Sequence, residues 1–361
     1  MHVGILTGGG DCPGLNAVIR TVTLALLHGG AGGEAPAATR VSGIGRGFLG
    51  LITGDLRPLT AAAVDDILAT GGTILGTHNR CDPFHYFGAG GADVSDQAIA
   101  TLKAHAIDAV VAIGGDGTMA IAHRFALKGV PVIGVPKTID NDLPHTDRSF
   151  GFDSAVAVVA EALDRLATTA RSHGRVMILE TMGRYAGWIA LHGGLAGGAD
   201  AILLPEIPYD IERVAAFCRA RAAAEGYTLI CIAEGAAAAG GGLTVQATIP
   251  DSPEPVRLGG VGHVLQQALQ PRLDGEVRTT QLGHVQRGGT PTAFDRVLAM
   301  RFGWHAATLL RARRFGRMVV LRGEACGDVP LADVAGRSRP VPADDALLAA
   351  ARGIGVCLGA I

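Results

Sequence analysis

Short apolar, largely β-branched runs that end in glycine and give way to helix-forming stretches recur along this chain of 361 residues. The clearest runs are 3–6, 109–113, 132–135, 176–179, 201–204, 228–233 and 318–321. Between them, 17–27, 95–105, 119–128, 154–169, 211–225 and 261–270 have helical periodicity or composition. Parallel strands need long crossovers, and helices supply them. The alternation therefore predicts an α/β protein with largely parallel sheets. The runs before and after about residue 150 each form a βα series, so the chain reads as two doubly wound lobes with the active site in the cleft between them. Glycine supplies 53 residues, about twice the average share, much of it in runs where backbone must approach something closely. That favours a ligand-binding enzyme.

Charge excludes some partners. With 31 basic and 33 acidic residues the net charge is -2, so the totals suggest neither a nucleic-acid grip nor an anionic membrane surface. No uncharged apolar run reaches the roughly 18 residues of a membrane span. The opening residues 1–6 lack the basic start and cleavage site of a signal peptide, so a cytoplasmic location is expected. Cys12, Cys81, Cys218, Cys231, Cys326 and Cys357 are scattered, with no CxxC pair and no histidine at zinc spacing, and read as isolated thiols.

The first run leads directly into Thr7-Gly8-Gly9-Gly10-Asp11-Cys12-Pro13-Gly14-Leu15-Asn16 and then an amphipathic helix. Glycines at such a turn let backbone N–H groups face an anion at the positive end of the helix dipole. The loop matches neither the dinucleotide fingerprint nor the P-loop. A second loop, Gly114-Gly115-Asp116-Gly117-Thr118, follows the run 109–113. There one carboxylate among glycines suits an acid that holds Mg²⁺ while backbone cradles phosphates, with helix capping by Asp116 as the alternative. Two such loops in one lobe point to phosphate binding.

After the run 132–135 comes Pro136-Lys137-Thr138-Ile139-Asp140-Asn141-Asp142. If this segment is extended, Thr138, Asp140 and Asp142 share one face. One carboxylate can then accept a proton from an attacking hydroxyl, while the second holds the first or helps bind metal. Lys137 suits neutralising phosphate charge. The alternative is an Asx-rich turn with a solvated charge pair. Guanidiniums suit fork-like recognition of phosphate. Candidates are Arg175, the segment Met182-Gly183-Arg184, and Arg278 ahead of His284-Val285-Gln286-Arg287-Gly288-Gly289, although any one of these is more often a surface arginine. The alanine- and glycine-rich stretch 236–242 reads as the start of a mobile surface excursion running to about residue 256.

Taken together, GGDCPGLN near the start, GGDGT at 114–118, PKTIDND at 136–142, MGR at 182–184 and GHVQRGGTP at 283–291 resemble the 6-phosphofructokinase family, in order, from Gly4 to about Arg301. The resemblance implies phosphoryl transfer from a nucleotide or pyrophosphate to the 1-hydroxyl of fructose 6-phosphate, with Mg²⁺ required. It implies a donor lobe of 1–149 completed by about 286–335, and a sugar-phosphate lobe of 150–285 completed by about 336–361. By position, Asp140 resembles the family's catalytic base and Asp142 its supporting acid, with Lys137 and Thr138 beside them. Gly10 and the segment Asp116, Gly117 and Thr118 resemble the donor-phosphate site, with Asp116 on the metal. Thr138, Asp140, Met182, Gly183, Arg184, Glu234, His284 and Arg287 match substrate-contacting positions. Arg175 and Arg278 match arginines that reach the sugar phosphate of a neighbouring subunit, which implies a homodimer or homotetramer with shared sites.

The donor signals are mixed. Pyrophosphate users typically carry aspartate where this chain has Gly117, which favours ATP; Lys137 is the type found in pyrophosphate users and in a mixed-substrate subgroup. The expectation is an ATP-dependent 6-phosphofructokinase of glycolysis, with the pyrophosphate-dependent phosphotransferase as alternative. Arg80 is the candidate nucleotide-contacting arginine, in a segment one residue longer than in the familiar bacterial ATP enzymes. Arg20 aligns with one basic residue of the bacterial effector site, but Leu24 stands one turn on, so the usual feedback control is not expected. Two rivals fit less well. NAD and lipid kinases share a GGDGT loop but lack PKTIDND and QRGG, and a non-catalytic sugar-phosphate or nucleotide sensor would be expected to have lost Asp140 or Asp116.

Overall fold

The computed structural model describes residues 1–29, 39–249 and 255–360. In chain order the first part contains β1 (His2–Thr7), α1 (Leu15–Leu27), β2 (Arg40–Ile44), α2 (Phe48–Thr53), β3 (Leu56–Pro58), α3 (Ser95–Ala104), β4 (Ala109–Gly114), α4 (Asp116–Leu127) and β5 (Val132–Pro136). The second holds α5 (Phe152–His173), β6 (Val176–Thr181), α6 (Trp188–Ala196), β7 (Ala201–Leu203), α7 (Ile211–Ala224), β8 (Thr228–Ala233), β9 (Val245–Thr248), β10 (Val256–Leu258), α8 (Val261–Leu269) and β11 (Val277–Gln281). The chain closes with α9 (Ala293–Arg311), β12 (Arg317–Arg322), β13 (Ala325–Pro330) and α10 (Ala346–Gly353).

Two main sheets organise these elements. A seven-stranded sheet runs β13-β12-β5-β4-β1-β2-β3, parallel except for its antiparallel edges β3 and β13. A four-stranded sheet, β11-β6-β8-β7, is parallel throughout. Every residue of β1, β4, β5, β6 and β8 is buried, because helices cover both faces. Such strands read as continuous apolar runs rather than alternating ones, which is why they were visible in the sequence. The long helix α5 buries Ala155, Val159, Leu163 and Ala170 along one stripe and packs on α6 and β6. Helix α9 packs against α1, so a segment from late in the chain completes the larger sheet's layer.

Several elements fall outside the sequence expectation. Strands β2 and β3 are short, β11 is polar (VRTTQ), and α9 hides a narrow buried face inside mixed composition. The stretch 236–242 does not begin as a surface excursion. Ala236 is fully buried, and the backbone of Ala237 and Ala239 bonds to Tyr209, since small side chains allow that close approach. The exposed part begins near Gly240 and includes the antiparallel pair β9 and β10; the remainder of that expectation, 250–254, lies outside the described residues.

Among the described residues, no helix is long and apolar enough to cross a membrane. All six cysteines are free thiols, as the scattered spacing suggested. Burial pushes Cys12, Cys81, Cys218 and Cys231 up to about 12, which leaves them protonated and unreactive.

Candidate active site

The loops after β1 and β4 are pressed together. Gly8 N–H donates to Ile113 O at 2.9 Å, and a Cβ at Gly8 would stand 2.5 Å from Thr118 Oγ1, so only hydrogen fits there. Lys137, 3% exposed, donates from Nζ to Gly10 O, and burial pushes its pKa down. Arg287 closes the other side, with Nη1 donating to Asp11 O at 3.3 Å. Thr7 Oγ1 donates to Gly76 O at 2.8 Å and Thr77 Oγ1 to Thr7 O at 3.1 Å, which pins the turn leading to Arg80 against the first glycine loop. Arg80 itself lies over the Phe87 ring at 5.5 Å. Gly10, Lys137, Thr118 and Arg287 thus lie together around the first glycine loop.

Asp116 is the first residue of α4, capped by Gly115 rather than itself serving as the cap. Its Oδ1 stands 3.6 Å from Arg184 Nη1, across from the carboxyl end of β6. This pair joins the end of a strand in one sheet to the end of a strand in the other. Glu234, just past β8, accepts from Arg184 N–H at 2.9 Å, and Met182 and Gly183 form the rest of that loop.

The acid segment is not extended. Asn141 has φ +52, so the chain turns there, and alternation along a strand is not what brings the carboxylates together. Asn141 Oδ1 accepts from Ser149 N–H at 3.0 Å, while Ser149 Oγ donates to Thr138 O at 2.7 Å; these side chains hold the turn. Thr138 Oγ1 accepts from Asp140 N–H at 3.0 Å. Both acids are buried, and Asp140 Oδ1 has no hydrogen-bond partner. Burial, then the charges of Asp140 and Asp116, push Asp142 up to about 7, with Arg184 opposing. Burial also pushes Glu234 up to about 7, against the bond from Arg184 N–H. A buried acid with an orphaned oxygen, ringed by carboxyls of raised pKa and fixed cations, suits proton abstraction beside a phosphate.

No group of three or more His, Cys, Asp or Glu side chains able to hold a metal occurs among the described residues. Mg²⁺ is commonly held by one or two carboxylates plus substrate phosphates, and the partly exposed Asp116, whose charge together with that of Asp140 acts on Asp142, fits that incomplete shell.

His284 is exposed, in the same turn as Arg287. Two predicted residues stand apart. Arg175 and Arg278 lie at the amino ends of β6 and β11, where Glu276 accepts from Arg175 Nε at 2.6 Å and from Arg278 Nη2 at 3.0 Å. At about 3.3 Å per residue, β6 puts Arg175 roughly 20 Å and Arg278 roughly 13 Å from its carboxyl end, past which Arg184 lies. The sequence reading missed Ser149 and the segment 337–341, which reaches the acid turn from nearly 200 residues away.

A family model described as phosphofructokinase matches residues 2–310. The chain belongs to the phosphofructokinase family. It is 46% identical to "ATP-dependent 6-phosphofructokinase 2" of Clostridium perfringens, over 98% of this chain and 97% of that protein. It is 47% identical to a pyrophosphate–fructose 6-phosphate 1-phosphotransferase of Amycolatopsis methanolica, over 95% of this chain and 96% of that one. Among solved structures, phosphofructokinase from Saccharomyces cerevisiae superposes with a TM-score of 0.78 at 28% identity, covering 92% of this chain and 45% of the yeast chain.

This family member is a phosphotransferase whose site is held at a cost in stability. Glu234 ionises near 4.5 when unfolded and at about 7 when folded, so the native state holds its proton more tightly. Stability is therefore full below about 4.5 and falls as pH rises through about 7, by on the order of 3 kcal/mol. Glu234→Gln keeps an acceptor for Arg184 N–H but cannot ionise. Thermal unfolding should show the variant more stable than the parent at pH 8 and equal to it near pH 4. Parallel curves at both pH values would contradict the burial cost.

Proposed function

We propose that this chain transfers a phosphoryl group from ATP to the 1-hydroxyl of fructose 6-phosphate, yielding fructose 1,6-bisphosphate in glycolysis. The observation that carries the reading is the convergence of Asp140, its Oδ1 unpartnered, with the two glycine loops and the Asp116–Arg184 pair. Asp140 takes the hydroxyl proton, and Asp142 and Thr138 hold it in place. The Gly10 and Asp116–Thr118 backbone, with Lys137, receives the donor phosphates. Arg184, Glu234, Met182, Gly183, His284 and Arg287 orient the sugar phosphate. Mg²⁺ held at Asp116 supplies charge neutralisation for the donor phosphates. The donor lobe would comprise 1–149 with about 286–335, and the sugar lobe 150–285 with about 336–361.

ATP is favoured because a side chain added at Gly117 meets nothing within 4 Å, which leaves room beside the metal acid for an α-phosphate. Pyrophosphate is the second reading, favoured by the buried ammonium of Lys137 at the first glycine loop. The likeness to enzymes of both kinds at similar identity bears on the shared acceptor chemistry rather than on the donor. A homo-oligomer is part of the proposal. Arg175 and Arg278 stand too far from their own Arg184 to share its ligand, so they would serve a second copy's site. Fructose 1,6-bisphosphate formation measured with ATP and pyrophosphate in parallel tests the donor. Turnover with ATP alone is expected; turnover with pyrophosphate alone would transfer the reading to Lys137, and none with either would defeat it.

A further inference from the structure

The segment between β13 and α10 lies against the acid turn. Arg339 N–H donates to Asp142 O at 2.6 Å, Arg339 Nη2 donates to Asn141 O at 2.8 Å, and Ser338 Oγ donates to Asp142 Oδ2 at 3.4 Å. The guanidinium stacks over Trp188 with 4.6 Å to the ring centre, and Trp188 Nε1 donates to Arg339 O at 2.9 Å. Two residues on, Val341 N–H donates to Glu206 Oε1 at 2.8 Å, and the same oxygen accepts from Gly187 N–H at 2.9 Å. Gly187 and Trp188 directly follow the loop that carries Arg184. One short segment is thus fastened to the acid turn at one end and to the sugar-side loop at the other.

Asn141 is the residue at φ +52, between the two acids. Asparagine tolerates this conformation better than most residues, and the contacts around it hold it there. Arg339 contributes by gripping the carbonyls of Asn141 and of Asp142. Its guanidinium sits over the Trp188 indole, so it approaches with less freedom left to lose. We infer that Arg339 is a positioning residue for Asp140, holding the Asn141 turn so that the orphaned carboxylate oxygen points at the acceptor hydroxyl. This rests on the reading of Asp140 as base.

The test compares the full-length enzyme with Arg339→Ala and Arg339→Lys in steady-state assays varying fructose 6-phosphate and the donor. A base displaced by about 1 Å predicts kcat lowered roughly 30- to 100-fold in Arg339→Ala, with both KM values within about threefold. Arg339→Lys should fall between, since an ammonium can reach the Asn141 carbonyl but without the fork held over Trp188, and the backbone bond to Asp142 O is kept in every variant. Added guanidinium should restore part of the kcat of Arg339→Ala and leave the parent unchanged. A kcat within twofold of the parent in Arg339→Ala overturns the inference, as does a lowered kcat with KM raised in step and no response to guanidinium. Should thermal unfolding show that Arg339→Ala does not fold, Arg339→Lys decides: a parental kcat overturns the inference, and a lowered kcat at parental KM supports it. A parent enzyme inactive with both donors would sink the function reading instead, so the two failures are distinct.

Discussion

Asp140→Ser should lose turnover by about a thousandfold or more while fructose 6-phosphate and donor still bind. A general base contributes roughly 10² to 10⁴ to the rate. Here the carboxylate is buried, and serine would leave the site without a group basic enough to replace it. Serine is smaller than aspartate and polar, so it fits the same space beside Thr138 Oγ1, which accepts the backbone N–H of residue 140 whatever the side chain. The orphaned Oδ1 makes no bond that folding depends on, so the loss should fall on the rate and not on stability. Initial-rate measurements with calorimetric titration of both substrates separate the two. A near-normal kcat would remove Asp140 from the mechanism, and a lost affinity with intact kcat would make it a binding group. A non-catalytic sensor would show no turnover to lose.

Gly117→Asp should weaken ATP use by roughly thirtyfold and leave pyrophosphate use unaltered or improved. The substitution is tolerated by the fold, since the added Cβ meets nothing within 4 Å and a carboxylate suits the first turn of α4. Its charge would face the place where an α-phosphate passes Asp116. Repulsion of about 2 kcal/mol, a modest figure for unit charges near 4 Å at a protein surface, corresponds to that factor. Pyrophosphate has no third phosphate to repel. The ratio of kcat/KM for the two donors is the quantity to measure, because a general loss of activity would lower both. An unchanged ratio would mean that Gly117 does not choose the donor.

The parts legible in the sequence were those written locally. Strands covered on both faces show as unbroken apolar runs, so β1, β4, β5, β6 and β8 were found, and each glycine loop sits where its strand ends. Asp116, Asp140 and Arg184 announced themselves through their glycine and acid neighbours. The Asn141 turn did not, because asparagine tolerates the left-handed conformation without requiring it, and the contacts that hold it come from Ser149 and Arg339, one of them nearly 200 residues away. Strand β11 escaped notice because VRTTQ carries no apolar run, its strand character coming from pairing with β6. The same applies to the buried start of 236–242, where alanines that look like loop filler are small enough to pack on Tyr209.

The contact between Asp116 and Arg184 has a thermodynamic consequence. Both side chains are about one-third exposed, at 35% and 30%, so the pair is worth little by itself. On the proposed roles, a donor complex engages one member and a sugar phosphate the other. A ligand at either member competes with that contact, so on these roles the two affinities are coupled, by no more than the pair's own small worth, and linkage makes the coupling reciprocal. Two loops from separate sheets become a single ledger of heterotropic cooperativity, with no moving domain needed to transmit it.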